Sequence, residues 1–127
     1  MLALAVLGNC LACAPANPSA DAVVGRWRVD WNCGVETLEL RRDWTYSYEI
    51  DFAAGGRVID TGKWKIVPKK ERLSGAQVVL QNAVDPCSAF GERIPAPGRT
   101  DRALEAVWEW GRTVLVFNPD IQGFTRM

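Results

Sequence analysis

The chain of 127 residues has room for one domain, and its fifteen basic and fifteen acidic residues cancel, with no long run of either sign. That balance lacks both the basic footprint of a nucleic-acid binder and an acidic tail. Histidine is absent, which removes the usual general base, the usual activator of a serine or cysteine nucleophile and the commonest metal ligand.

The first segment, Met1 to Gly8, is apolar and runs into small residues around Cys10 to Ala16. It is too short to cross a bilayer as a helix, which takes about twenty apolar residues, and reads as the core of a secretory signal. No Lys or Arg precedes it, so a start upstream of Met1 stays open. Within it, Leu11-Ala12-Cys13-Ala14 resembles the cleavage box of bacterial lipoproteins, although Cys10 stands where that box usually carries leucine. The resemblance implies a lipidated Cys13, a signal over 1–13 and an envelope protein held to the membrane by its lipid alone. The alternative is an ordinary cut after Ala14 or Ala16, giving a soluble periplasmic protein. Residues 14–23 are rich in Ala, Pro, Asn and Ser and are expected to form a flexible tether, with the folded domain over 24–127.

From Gly25 onward the period is two. Trp27, Val29 and Trp31 alternate with charged residues, and Tyr46, Tyr48, Ile50 and Phe52 alternate with Thr45, Ser47, Glu49 and Asp51. With Glu36 to Leu40 and the turn Arg41-Arg42-Asp43, this region predicts a hairpin. Further strands are expected near Val58 to Val67, Ala76 to Asn82, Leu104 to Trp110, Thr113 to Asn118 and Ile121 to Arg126. About eight short strands without a helical period predict an all-β fold, a small antiparallel up-and-down barrel; a flattened sandwich is the alternative.

One connection, Ala83 to Ala103, carries Pro86, Pro95, Pro97 and Gly98 and cannot be helix or central strand for long. Beyond the leader only Cys33 and Cys87 remain, and in an oxidising compartment a lone pair is expected to form a disulfide. A soft-metal site at Cys33, with Asp30 and Glu36 nearby, would lack a second thiolate, a histidine or a close methionine. No metal and no cofactor are expected.

The pieces Val24-Gly25-Arg26-Trp27, Cys33 to Leu40, Asp43-Trp44-Thr45-Tyr46 and Gly62-Lys63-Trp64 resemble the opening of small lipocalin-like barrels in bacterial lipoproteins. The nearest pattern is the N-terminal domain of the NlpE-like lipoproteins. Gly25-x-Trp27 also resembles the first-strand signature of lipocalins, which implies a barrel-closing arginine over Trp27; Arg126 is the candidate and Arg112 the alternative. Those lipoproteins carry Cys-x-x-Cys where this chain has Cys33 alone, so copper binding does not transfer. Trp44 stands where a hairpin glycine would be, so the turn is expected to take a type that tolerates a large side chain.

Trp27, Trp64, Trp108 and Trp110 read as core filling, with a ligand cavity as the alternative. Carboxylate pairs such as Glu36 with Glu49, or Glu105 with Glu109, suffice on paper for a glycosidase, but charged alternation on an outer barrel face explains them without chemistry. The expected function is a non-catalytic binding or interaction module taking a small hydrophobic ligand or an envelope protein; the alternatives are an inhibitor, immunity-type or sensing factor and, last, an enzyme. Phe90, Arg93 and Ile94 of the long loop are the candidate contacts; the structural alternative is that Phe90 and Ile94 cap one barrel end as a plug.

Overall fold

Alternation of side chains across a strand decides the architecture. In β3 (Gly34–Leu40) Glu36, Leu38 and Leu40 are buried while their neighbours are half-buried, and in β4 (Thr45–Phe52) the buried set is Tyr46, Tyr48, Ile50 and Phe52. A sheet with one such face hides it most completely by curling on itself, which also removes its edges. The computed structural model describes residues 13–15, 18–68, 75–109, 111–118 and 122–127. Its other elements are β1 (Cys13–Pro15), the short helix α1 (Ala20–Val23), β2 (Gly25–Trp31), β5 (Arg57–Val67), β6 (Gln77–Val84), β7 (Arg99–Glu109), β8 (Arg112–Asn118) and β9 (Gln122–Arg126).

Among the described residues eight strands, β2 to β9, pair antiparallel in sequence order, and β9 returns to β2 through Trp27 opposite Arg126 and Arg28 opposite Thr125. The result is a closed up-and-down barrel, not a sandwich. Large side chains fill its interior: Trp27, Trp64, Tyr46, Tyr48 and Phe124, with Leu38, Leu40, Ile50, Leu80, Leu104 and Leu115 between them. Trp108, by contrast, is half exposed. Trp110 lies outside the described residues.

Two boundaries differ from the sequence expectation. Strand β7 begins at Arg99, so the long loop shrinks to residues 85–98; the run Arg99-Thr100-Asp101-Arg102 looked polar because an arginine occupies an inward position. Residues 20–23 are no flexible tether either. They form α1 across one barrel end, where Val23 is buried, its carbonyl accepts from Trp27 Nε1 at 2.9 Å, and Arg126 donates to the carbonyls of Ala22 and Val24. The folded unit therefore takes in residues upstream of Val24.

The turn between β3 and β4 also departs from expectation. It keeps the three-residue hairpin geometry with a left-handed last position, and Trp44 occupies it at φ 68°. Such a conformation costs a bulky residue roughly 1 kcal/mol, offset by stacking of its ring on Trp64 at 4.6 Å. Trp44→Gly exchanges strain relief for the lost stack and is expected to be nearly neutral. Trp44→Ala keeps the strain and loses the stack, leaving it about 1 kcal/mol below the glycine variant in denaturant melts. Equal stability of the two would mean that the strain is absent.

Candidate functional site

The barrel ends differ in what they carry. One end holds α1 and the Trp44 turn, and the other holds the turns at 32–33 and 53–56 and the loop over 85–98. Prolines at 86, 95 and 97 deny that loop a regular ladder, so it is fastened by other means. Cys33 and Cys87 are joined in a disulfide spanning 54 residues. Cys87 pairs with Arg93 across an isolated bridge, Ile94 N donates to Pro86 O at 2.8 Å, and Ser88 Oγ accepts from the backbone of Phe90 and Glu92. Gly91 takes φ 83° against Asn32 and Trp31, where a Cβ would collide with the Asn32 side chain.

The candidate contact residues separate in this frame. Phe90 is 83% exposed. Arg93 lies against the barrel rim, its guanidinium 4.2 Å from the Phe52 ring centroid and Nη1 donating to Gly55 O at 3.4 Å. Ile94 is half-buried. The plug reading thus fits Ile94 and not Phe90, which fits the contact reading, while Arg93 lies exposed on the rim.

Beneath the loop lies a pocket of about 330 Å³. Trp31 and Phe117 wall it, edge to face at 5.0 Å, together with Leu104 and the Cys87 segment. Arg102, buried to 7% exposure, borders it as well. Glu36 faces the barrel interior beside this arginine, accepting from Trp31 Nε1 and from the Tyr48 hydroxyl, both at 2.5 Å. Arg102 Nη2 stands 3.6 Å from Glu36 and Nε stands 3.6 Å from Asp85, while the guanidinium lies over the Tyr48 ring. Its Nη1 is sealed and has no hydrogen-bond partner. Burial opposes the arginine's charge, but Tyr48, Glu36 and Asp85 hold its pKa above the ordinary value. Burial and the negative Glu36 push the Tyr48 hydroxyl upward, so it is a hydrogen-bond donor and not a base near neutral pH.

A second polar knot fixes the same rim. Asp60 accepts from Tyr46 OH at 2.9 Å, Val84 N at 3.1 Å and Arg99 Nη1 at 3.1 Å, and Arg99 also donates to the carbonyl of Asn82 in the bulge between β6 and β7. Burial works against the Asp60 charge, but these donors hold its pKa below the usual carboxylate value. Its stabilising contribution is therefore complete above an unfolded pKa of about 3.9 and is lost as pH falls through the lower folded value. Unfolding followed from pH 7 to 2.5 is expected to show that acid loss. Asp60→Asn is expected to be less stable at pH 7 and to converge with the parent at the acid end; parallel curves would contradict the assignment.

The other candidate residues fall as follows. Arg126 lies over Trp27 with its guanidinium 4.5 Å from the ring centroid, and Gly25 at φ 136° leaves out the Cβ that the guanidinium would meet. Arg112 is exposed at the start of β8. Glu36 and Glu49 lie on opposite faces, because Glu36 opposes Ile50 while Glu49 opposes Thr37, so no carboxylate pair forms and outer-face alternation does not explain Glu36. Glu105 accepts from Gly75 N at 3.0 Å, and the side chain of Glu109 lies outside the described residues. Cys33 is committed to the disulfide, and among the described residues no group of three His, Cys, Asp or Glu could hold a metal. Cys13 is described only as strand, opposite Glu109.

Sequence reasoning missed the Glu36–Arg102 pair, although parity marks both: Glu36 shares its face with Leu38 and Leu40, and Arg102 shares its face with Leu104 and Ala106. No protein-family model, curated protein or solved structure matches this chain.

Proposed function

We propose that this protein is a non-catalytic binding module of the bacterial envelope, lipid-anchored through Cys13, with the mouth under the 85–98 loop as its working end. The carrying observation is the loop itself: a disulfide and its own hydrogen bonds hold it in one shape, with Phe90 outward above a pocket. Aromatic groups held by a rigid frame give contact area at low entropic cost. Glu36 and Glu105, one member of each carboxylate pair that a hydrolase could use, accept hydrogen bonds from Tyr48 and Gly75, which supports binding over chemistry. Kinship with lipocalin-like lipoprotein barrels is part of the reading, supported by Gly25-x-Trp27 and the arginine above it.

With large side chains filling the interior and a pocket under the loop, a small hydrophobic ligand is better served by the mouth than by the barrel axis. The exposed Phe90 favours a second reading, contact with an envelope protein as an inhibitor, immunity-type or sensing factor. Pairing of Cys13 with Glu109 sets the proposed anchor at the far end of β7, roughly 30 Å from the loop at a strand rise of about 3.3 Å per residue. The mouth then faces away from the membrane.

Two measurements test this. A palmitate analogue is expected to label the expressed protein, and Cys13→Ser is expected to abolish the label and release the domain into the soluble envelope fraction; an unchanged membrane fraction contradicts the anchor. Phe90→Ala is expected to shift stability by no more than about 0.5 kcal/mol, as surface substitutions do. A loss of about 2 kcal/mol or more would make Phe90 a plug.

A further inference from the structure

The pocket beneath the loop opens at an uncovered strand edge. A pocket lying against one face of a strand meets alternate residues, because side chains point to opposite faces in turn. This pocket meets four consecutive residues of β7, the exposed Asp101 and Ala103 and the buried Arg102 and Leu104. It therefore reaches the edge of the strand. On the β6 side the pairing of β7 runs from Glu105 through Leu104 and Ala103 to Arg102, whereas on the β8 side it stops at Glu105 opposite Val116. There β8 shifts register against β9, between Val116 and Asn118. Ala106 N donates to Ala76 O on the β6 side, so by alternation the N–H and C=O of Ala103 point the other way, where no described strand pairs with it. An open edge of this kind is a template for a further strand. The two faces set what such a strand carries. Trp31 and Phe117 stand with Leu104 on the inner side and suit an apolar side chain. Asp101 is exposed on the outer side, where it accepts from Asn82 N, and Asp85 on the loop shares Arg102 with Glu36. The one cation of the pocket is thus already engaged by two carboxylates, and a basic side chain suits the outer side. Ser88, also in the lining, uses its hydroxyl oxygen to accept from Phe90 and Glu92 within the loop.

Resting on the reading of the mouth as a binding site, we propose that the open edge of β7 takes an extended segment of a partner protein as an antiparallel strand opposite Ala103, with basic residues on its outer face and apolar residues on its inner one. Main-chain hydrogen bonds to Ala103 supply affinity, and the alternation supplies selectivity.

The probe is the peptide acetyl-Val-Lys-Val-Lys-Val-amide, titrated into the full chain while amide exchange at Ala103 and shifts at Trp31 and the 85–98 loop are followed by NMR. In the free chain the Ala103 amide is expected to exchange readily while that of Leu104, which faces β6, is protected; saturating peptide is expected to slow Ala103 by about tenfold or more. In this register the lysine N–H groups face β7. N-methylation of both lysines is therefore expected to weaken binding about tenfold, and N-methylation of the central valine, whose N–H faces away, is expected to spare it. The counterpart with glutamate for lysine is expected to bind about tenfold more weakly as well. The proposal is overturned by an Ala103 amide protected in the free chain, or by a lysine-methylated or glutamate peptide that binds as tightly as the first. Loop amides that shift in those cases still mark the mouth as a binding site. Mouth amides that respond to none of the peptides also overturn the proposal, and the mouth itself is then judged separately by crosslinking at position 90.

Discussion

Arg102→Met alone is expected to lower the unfolding free energy by about 3 to 5 kcal/mol, the usual result of leaving one member of a buried ion pair uncompensated. Glu36 would then keep its two hydrogen bonds in the interior but lose its counter-charge, while the half-exposed Asp85 that shared the same guanidinium adds only another negative group. Adding Glu36→Gln removes the stranded charge and keeps an acceptor for Tyr48 or Trp31. The double variant is therefore expected to recover most of the loss, because neutral replacement of a buried pair is often close to harmless. Chemical denaturation of the parent, Arg102→Met, Glu36→Gln and the double variant gives the coupling directly. Additive losses would mean that the two residues do not act as a pair.

Breaking the Cys33–Cys87 bridge is the other change of large expected effect. The bond closes a loop of 54 residues in sequence separation, and the chain-entropy model assigns such a closure about 4 kcal/mol. Whole domains of this size are stable by only about 5 to 15 kcal/mol. Cys33→Ser with Cys87→Ser is expected to show this loss in denaturant melts, and thiol titration of the folded parent is expected to find neither sulfur reactive. The 85–98 segment should lose protection against amide exchange before the barrel does, since its other ties to the barrel are few, chiefly Arg93 on Phe52 and Gly55 and Asp85 with Arg102. A loss below about 1 kcal/mol, or reactive thiols at both positions, would show the bond to be incidental.

The barrel was legible in the sequence wherever one face was uniformly apolar. Tyr46, Tyr48, Ile50 and Phe52 state their direction outright, and the strands they predict are those that form. Legibility failed where a charged residue faces inward. Glu36 passed for surface alternation and Arg102 for loop polarity, because a carboxylate and a guanidinium buried together look like two exposed residues until the register brings them within 3.6 Å. Trp44 shows a different limit. Residue preference argued for a changed turn type, but the stack on Trp64 held the original geometry against local strain. Residues 20–23 read as tether from composition, yet the buried Val23, the carbonyls of Val23 and Ala22 and the Asp21–Arg42 ion pair tie them to the fold. The candidate site was therefore half visible: its loop and disulfide follow from proline and cysteine placement, while its charged floor depends on pairing across strands.

The mouth as the working end is tested most directly by site-specific photocrosslinking in intact envelopes, with p-benzoylphenylalanine replacing Phe90 on the loop or Ile59 on the outer barrel wall, both exposed. Adducts of defined mass, whether with a small molecule or a protein, are expected from position 90 and not from position 59. Adducts from position 59 alone, or equal labelling from both positions, would contradict it.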